Sequence, residues 1–362
     1  MMRKVNWVSV LLMGAVLIAV QARADTPPGT TTVGGTMFTD FTDLNQDVMS
    51  QSTAGSTSTS SNSYGVDVKR FYLVVNHNFD DIWSANLTTD FNYVSADKET
   101  QLFVKKAYVQ ANLSNAASFR VGSADMPWIP FDEGIYGYRF VENTLIDRLH
   151  FGNSADWGLH FLGHTDGNFA NYALSAVNGG GFRNPSRSKS MDFEGRLAVM
   201  PVKGLILAVG AYSGELGQNT SSLAPGTPIN TATRQDALVA YKTSRLTLGA
   251  EYFHASNFTS ALITSNQTDS ASGYSLFGSL NLTDNGLAVF ARYDNADPSK
   301  DLNPSQKDKY YNFGISFPVN KNITWAIAYK HESLSSSPVL TTTSTVTNTT
   351  TKEIGVWAQI KF

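Results

Sequence analysis

The sequence contains no cysteine, and this absence removes several functional classes at once. Without thiols the chain cannot form disulfides, use a cysteine nucleophile or bind a metal through thiolates. Charged residues are also scarce, at 16% of the chain, against about 25% in ordinary globular proteins. The formal net charge of -3 disfavours a nucleic-acid partner, because nucleic acid is a polyanion.

Long apolar runs are missing beyond the N-terminal segment. That segment combines Arg3 and Lys4, the apolar stretch 8–20 and an Ala-Arg-Ala motif at 22–24, which together predict a cleaved signal peptide over residues 1–24. Further along, no apolar run approaches the ~17 to 25 residues that a membrane-spanning helix needs. If the mature chain, 25–362, crosses a membrane, a closed β-barrel is the remaining solution.

Apolar and polar residues alternate with a period of two along most of the mature chain. In segment 83–93 the apolar positions fall at every second residue from Trp83 to Tyr93, and the final segment alternates in the same way from Ile354 to the terminal Phe362. A period of two predicts strands with one apolar and one polar face. The fold class predicted is all-β: a transmembrane up-and-down antiparallel β-barrel of about 16 strands.

The connectors between these strands alternate between short and long. Short ones, such as 201–204 and 283–285, are rich in Asn, Asp, Gly and Pro, which favour tight turns. Long ones include 46–64, 214–233 and 332–351. This alternation is typical of outer-membrane barrels, which have short periplasmic turns and long outer loops.

One long connector, 123–153, differs in composition from the others. It is rich in aromatic and aliphatic residues, including Trp128, Phe131, Tyr136 and Phe140, whereas the other long connectors are mostly Ser, Thr and Asn. A long loop of this composition is expected to pack against something. We therefore predict that it folds inward and narrows a pore.

A barrel of about 16 strands is too wide to be filled by its own side chains, so it encloses an aqueous channel unless it is plugged. Charged residues on the wet strand faces should point into that channel, because a charge facing lipid costs about 2 to 4 kcal/mol. Together with the charges of the connector they predict a transverse field across the constriction; the alternative is that the wall charges pair with their neighbours. The candidate pore-lining residues are Arg70, Lys106, Arg120, Asp125, Asp132, Glu133, Arg139, Arg148, Asp192, Glu194, Arg196, Glu251, Arg292 and Lys330.

A series of short motifs, in order along the chain, resembles the phosphate-selective porin O and P superfamily of Gram-negative outer-membrane porins. The motifs are Lys69-Arg70-Phe71-Tyr72-Leu73, Phe119-Arg120-Val121-Gly122, Asp192-Phe193-Glu194-Gly195-Arg196 and Phe290-Ala291-Arg292-Tyr293-Asp294. The resemblance implies a sixteen-stranded homotrimer whose third outer loop folds into the lumen. The solute remains open, since the connector is net acidic and Arg139 and Arg148 lie far apart in it.

Three functions follow as hypotheses. The first is a porin for passive diffusion of small hydrophilic solutes or ions, with anions such as phosphate among the candidates. The alternatives are a barrel enzyme of lipase or protease type and a structural or adhesive barrel. The six histidines lie in no recognised catalytic motif. His160 and His164 would suit a metal site on a helix, but on a strand they lie about 13 Å apart. The sequence therefore predicts no catalytic, cofactor or metal residue, and its expected surroundings are outer-membrane lipid.

Overall fold

The computed structural model describes residues 27–52, 55–94, 98–336 and 346–362. The predicted signal peptide, 1–24, lies outside the described residues. Within the described ranges, no helix is both long enough and apolar enough to cross a membrane.

Sixteen antiparallel strands form a closed barrel, in which each strand pairs with its neighbours in sequence and β1 closes against β16. The predicted fold class and strand number are confirmed. In the described part of the chain, three short α-helices lie in the connectors: α1 (Ile129–Tyr136), α2 (Leu145–Arg148) and α3 (Ser260–Ile263). The strands are β1 (Thr31–Ser52), β2 (Gly55–Asn78), β3 (Trp83–Val94), β4 (Glu99–Ser114), β5 (Ala117–Asp125), β6 (Ala155–His164), β7 (Ala170–Val177), β8 (Asp192–Val199), β9 (Leu205–Gly214), β10 (Ala232–Lys242), β11 (Leu246–Ser256), β12 (Ser270–Asn281), β13 (Ala288–Asp297), β14 (Lys307–Asn320), β15 (Ile323–Ser336) and β16 (Val346–Lys361).

Strand β10 illustrates how the alternation in the sequence becomes two faces of a wall. Arg234, Asp236 and Leu238 are buried on the inner face, whereas Ala237 and Val239 between them are exposed on the outer face. The outer face is apolar along the barrel, because lipid is the solvent that an outward side chain of a membrane barrel meets.

Aromatic side chains form a belt near each end of the apolar outer face. At the end that carries the long connectors, Tyr311 lies 6.1 Å from Tyr329 between ring centroids. At the end of the short turns, the Phe161 ring lies 4.9 Å from Phe119 and 5.8 Å from Tyr172. Belts of this kind mark the two water interfaces of a membrane barrel.

The prediction that 46–64 forms an outer loop was wrong. Strand β1 continues to Ser52 and β2 begins at Gly55, so this segment is a long hairpin. Strands β15 and β16 are extended at the same end, and Gln51 pairs with Val346. Pairing accounts for this, because each strand of the extension has a neighbour for its backbone hydrogen bonds, and the β-branched Thr residues at 347 and 349–351 of β16 favour extended backbone.

Candidate functional site

The connector between β5 and β6 lies inside the barrel. It enters through Trp128, whose backbone N–H donates to Glu194 Oε1 at 2.8 Å and whose indole Nε1 donates to Glu251 Oε1 at 2.8 Å. Pro130, which lacks an N–H, occupies the first turn of α1, and Gly137 ends the helix with a φ of 81°. These anchors attach the connector to β8 and β11.

Phe140 and Val141 of the connector pack against Phe38 on β1 and Trp357 on β16, and its other apolar residues form a larger cluster with one half of the inner wall. Trp128, Ile129, Leu145 and Ile146 are almost completely buried in this cluster. Their partners on the wall come from β7 to β13, and many of them are alanines, whose small side chains leave room for the connector inside the barrel. These partners include Val177, Ala198, Ala208, Ala232, Leu238, Ala240, Phe253, Ala255, Ala271, Phe277 and Ala296.

Gly210 on β9 is a site where this packing requires glycine. A Cβ at this position would lie 2.5 Å from Cε3 of Trp128, closer than carbon atoms approach without a shift of the backbone or the indole ring. The absence of a side chain at Gly210 therefore creates the space into which the first aromatic anchor of the connector fits.

Ion pairs attach the second half of the connector to β13, β14 and β15. Arg148 Nη2 lies 3.3 Å from Asp294 and 2.6 Å from Asp308, and Nη1 contacts Glu332. These acidic residues come from three adjacent strands, so one guanidinium fixes the position of α2 against the wall.

A second ion-pair cluster involves Glu142 of the connector. Its carboxylate lies 3.0 Å from Lys330 Nζ on β15, which is also 2.5 Å from Glu353 on β16. Nearby, Arg292 donates to the Asn143 carbonyl at 2.5 Å while it is paired with Asp294. The predicted wall residues Arg292 and Lys330 thus point inward, where they contact the connector.

The remaining predicted wall residues of β8 and β11 have similar environments. Arg196 donates to the Pro127 carbonyl at 2.8 Å. Asp192 accepts from the Glu215 backbone N–H at 2.8 Å, so it orders a neighbouring loop. Glu194 and Glu251 are buried beneath Trp128. All four residues point into the barrel, but they serve to position loops.

The opposite half of the inner wall, β2 to β5, is where the predicted charges remain accessible. The side chains of Arg70, Lys106 and Arg120 are 25%, 24% and 18% exposed. Arg70 lies 3.3 Å from Asp90, and Lys106 lies 3.0 Å from Asp125 at the start of the connector. These side chains line the part of the lumen that the connector leaves open.

Arg120 is held by two neutral groups of the same wall. Its Nε donates to Gln110 Oε1 at 2.6 Å, and its guanidinium carbon lies 4.8 Å from the centroid of the Tyr108 ring. Asp125 is 4.0 Å away. The cation is therefore held mainly by neutral groups, with Asp125 as a more distant ion-pair partner that it shares with Lys106.

A lysine that the sequence interpretation missed lies beside these residues. Thr88 and Thr89 of β3 pair with Lys106 and Val104 of β4, so Lys105 is an extra, bulged residue. A strict period of two would place Lys105 and Lys106 on opposite faces, and only knowledge of the bulge could have revealed that both point inward.

Lys105 lies where the open wall meets the connector. Its Nζ donates to the Tyr72 hydroxyl at 3.2 Å and lies 4.8 Å and 5.5 Å from the ring centroids of Tyr72 and Phe182. Arg139 of the connector donates to the same hydroxyl at 2.8 Å and is itself paired with Glu133. Within the described residues, no carboxylate oxygen lies within 4.0 Å of Lys105 Nζ.

The two acidic residues of α1 have different environments. Asp132 is buried against the wall, and neither of its carboxylate oxygens has a hydrogen-bond partner. Burial raises the pKa of Asp132 to about 7, although the positive charge of Arg292 opposes this. Burial also raises the pKa of Glu133, with Arg139 opposing it. Asp132 therefore faces the wall, whereas Glu133 faces Arg139 and the channel side.

A serine–histidine contact occurs on the inner wall. His160 Nδ1 lies 2.8 Å from Ser175 Oγ, the distance that a nucleophile and its base require. Both side chains are buried, with exposed fractions of 3% and 5%. The pair therefore stabilises the contact between β6 and β7 without reaching the lumen. His164 instead contacts the Thr165 carbonyl, at 3.2 Å.

Comparison with known proteins identifies the architecture. No protein-family model matches the sequence, and no curated protein matches it. Among solved structures, the outer membrane channel DcaP of Acinetobacter baumannii is similar over 95% of this chain and 100% of its own, with 12% identity and a TM-score of 0.60. An anion-selective porin from Comamonas acidovorans is similar over 92% of this chain and 100% of its own, with 13% identity and a TM-score of 0.59.

The outer-membrane expressed OmpT of Vibrio cholerae is also similar, over 94% of this chain and 100% of its own, with 11% identity and a TM-score of 0.58. At these identities the likeness concerns the fold. The chain has the closed barrel architecture of these outer-membrane proteins.

Proposed function

We propose that the protein is a porin, a passive channel for small hydrophilic solutes or ions in the outer membrane of a Gram-negative bacterium. The observation that carries this proposal is the division of the lumen. The connector packs against β7 to β15, and Arg70, Lys106 and Arg120 remain partly exposed on the opposite wall. Partly exposed, fixed charges on the inner face of a wide barrel indicate a water-filled path.

The membrane location rests on the outer surface. Apolar side chains such as Val239 and Leu248 are more than half exposed there, and aromatic belts border them at both ends. The resemblance of the sequence to trimeric porins supports a homotrimer, which cross-linking of the purified protein would test.

We further propose that the channel prefers anions. The carboxylate of Asp90 is fully buried while its partner Arg70 is 25% exposed, so a passing solute meets mainly the positive member of this pair. Lys105 is only 6% exposed, but its charge adds to the positive field of this wall, and among the described residues no carboxylate oxygen lies within 4.0 Å of its Nζ. Fixed charges of one sign raise the local concentration of the opposite ion and so set selectivity.

Planar bilayer recordings of the purified protein test both statements. We expect stepwise conductance. Across a salt gradient, we expect a reversal potential whose sign corresponds to a higher permeability for anions than for cations. Lys105→Gln should shift that potential toward zero, and Lys203→Gln, in a short turn far from the constriction, is the matched control. A sealed barrel without conductance would refute the channel, and a cation-selective wild type would refute only the preference.

A further inference from the structure

The outer face of β14, β15 and β16 carries a group of basic side chains near the end with the long connectors. Lys309 and Lys352 are exposed, and His331 lies between them on β15. His331 pairs in register with both Tyr311 and Lys352, and its ring stacks on Tyr311 at 4.9 Å. The three basic groups therefore lie at and just above the aromatic belt, which is the level of lipid headgroups.

In the described ranges, neither lysine forms an ion pair. Within the described residues, no carboxylate oxygen lies within 4.0 Å of Nζ of Lys309 or Lys352. The exposed Asp47 of β1 also lies on this face, in register with Thr350 of β16. Two other acidic groups of the face have their own partners. Asp43 accepts from the Asn62 amide at 3.0 Å, and Asp297 is paired with Lys307 at 2.7 Å. The two exposed cations are two strand spacings and two residues apart, roughly 12 Å, and they can meet one anionic headgroup.

An apolar groove lies below this basic group on the same outer face. Gly278 on β12 pairs with Ala291 on β13, and the same row of the sheet continues to Leu248 on one side and Phe313 on the other. Two small residues between two large ones produce a groove of about 930 Å³. Phe313 is four residues from Lys309 on β14, or about 13 Å along the strand.

We propose that this surface binds a phosphate-bearing lipid, with its headgroup at Lys309 and Lys352 and an acyl chain in the groove between Leu248 and Phe313. The proposal rests on the membrane location given under the proposed function. Charge complementarity favours a phosphorylated lipid over a neutral one, since each lysine at a membrane surface attracts anionic headgroups. Lys309 lies above Phe313 at the β14 edge of the apolar groove, and Lys352 lies two strands further along the same face. This arrangement favours a lipid over a protein partner, because the charged groups lie at headgroup level and the apolar groove lies below them, as the headgroup and acyl chains of a lipid do.

Native mass spectrometry of the detergent-purified protein, titrated with diphosphorylated lipid A, tests this proposal. We expect the double variant Lys309→Gln/Lys352→Gln to bind about 30-fold more weakly than the wild type. Ala291→Phe, which fills the groove with an outward-facing ring, should also reduce lipid retention. The double variant Lys189→Gln/Lys203→Gln removes the same charge from exposed positions elsewhere and should bind like the wild type.

Three results would overturn the proposal: equal binding by the wild type and Lys309→Gln/Lys352→Gln, equal binding of lipid A stripped of its phosphates, or displacement of the lipid by inorganic phosphate alone. A change of oligomeric mass without a change of lipid binding would instead assign this face to a second copy of the chain. Conductance distinguishes this failure from failure of the proposed function, because a conducting channel that binds no lipid refutes only the lipid site.

Discussion

Asp132 provides the strongest test of how the connector is held inside the barrel. Its carboxylate lies between α1 and the wall, facing Glu251 on β11 and Arg292 and Asp294 on β13, with Glu133 next to it on its own helix. Both of its oxygens and Glu251 Oε2 are buried without hydrogen-bond partners. One proton on this pair would supply a donor where the structure has only acceptors.

The expected magnitude follows from the pKa of Asp132, which burial raises from an ordinary value of 3.8 to about 7. Because one pKa unit corresponds to about 1.4 kcal/mol, this shift corresponds to about 4 kcal/mol of folding free energy. The folded protein binds the proton more tightly than the unfolded chain does. This stability is therefore fully present below about pH 4, is lost as the pH rises toward 7, and stays lost above that pH.

Asp132→Asn should remove this loss, since the amide has the same shape and never ionises. At pH 8 we expect the variant to be more stable than the wild type, by up to about 4 kcal/mol, and near pH 4 the two should be similar. Guanidinium unfolding of the refolded protein, followed by tryptophan fluorescence at several pH values, measures the difference. Asp284→Asn, whose side chain is 88% exposed in a short turn, is the control for general titration effects.

The reasoning would be refuted if wild type and Asp132→Asn showed the same dependence of stability on pH. It would also be refuted if the variant were the less stable protein at pH 8. That second result would mean that the ionised carboxylate, held by Arg292, is the form that binds the connector to the wall.

Two further substitutions test the attachment of the connector. Arg148→Gln should destabilise the protein by about 3 to 5 kcal/mol at pH 7, because Asp308 would remain buried without its cation and Asp294 would keep only Arg292, and bilayer recordings should show larger, noisier conductance as α2 loosens. Gly210→Ala should cost about 1 to 3 kcal/mol, because the added methyl group collides with Trp128, whereas Gly65→Ala, with no atom within 4 Å of the added carbon, should leave the unfolding midpoint unchanged.

The barrel was predictable from the sequence because its outer solvent is lipid. Every second residue of a strand must then be apolar, and positions such as Val239 and Tyr293 reveal the period directly. The apolar composition of the connector likewise predicted that it packs against something. Its site of contact was not predictable, because Gly210 and the alanines that receive Trp128 have no distinctive sequence pattern.

For the charged residues too, the sequence did not predict which groups each side chain contacts. Alternation predicted lumen-facing positions for Arg196, Arg292 and Lys330, and in the structure these side chains contact the connector. A strand pattern contains no information on what covers a strand face. Lys105 was missed because a bulge changes the period by one residue, and the bulge is specified by pairing with β3. The long hairpin of β1 and β2 was missed because Ser and Thr are frequent in loops as well as in strands.

The off-centre position of the connector separates two kinds of substitution. On β8 to β15, the inward side chains contact the connector. A substitution there mainly changes the free energy of folding, and it changes solute permeation only indirectly, through the position of the connector. On β2 to β5, Arg70, Lys106 and Arg120 contact the open lumen, and a change there leaves the packed half in place. Homologous barrels can therefore diverge in solute selectivity through a few substitutions on β2 to β5. Protein engineering can change selectivity at the same positions without redesigning the packed core.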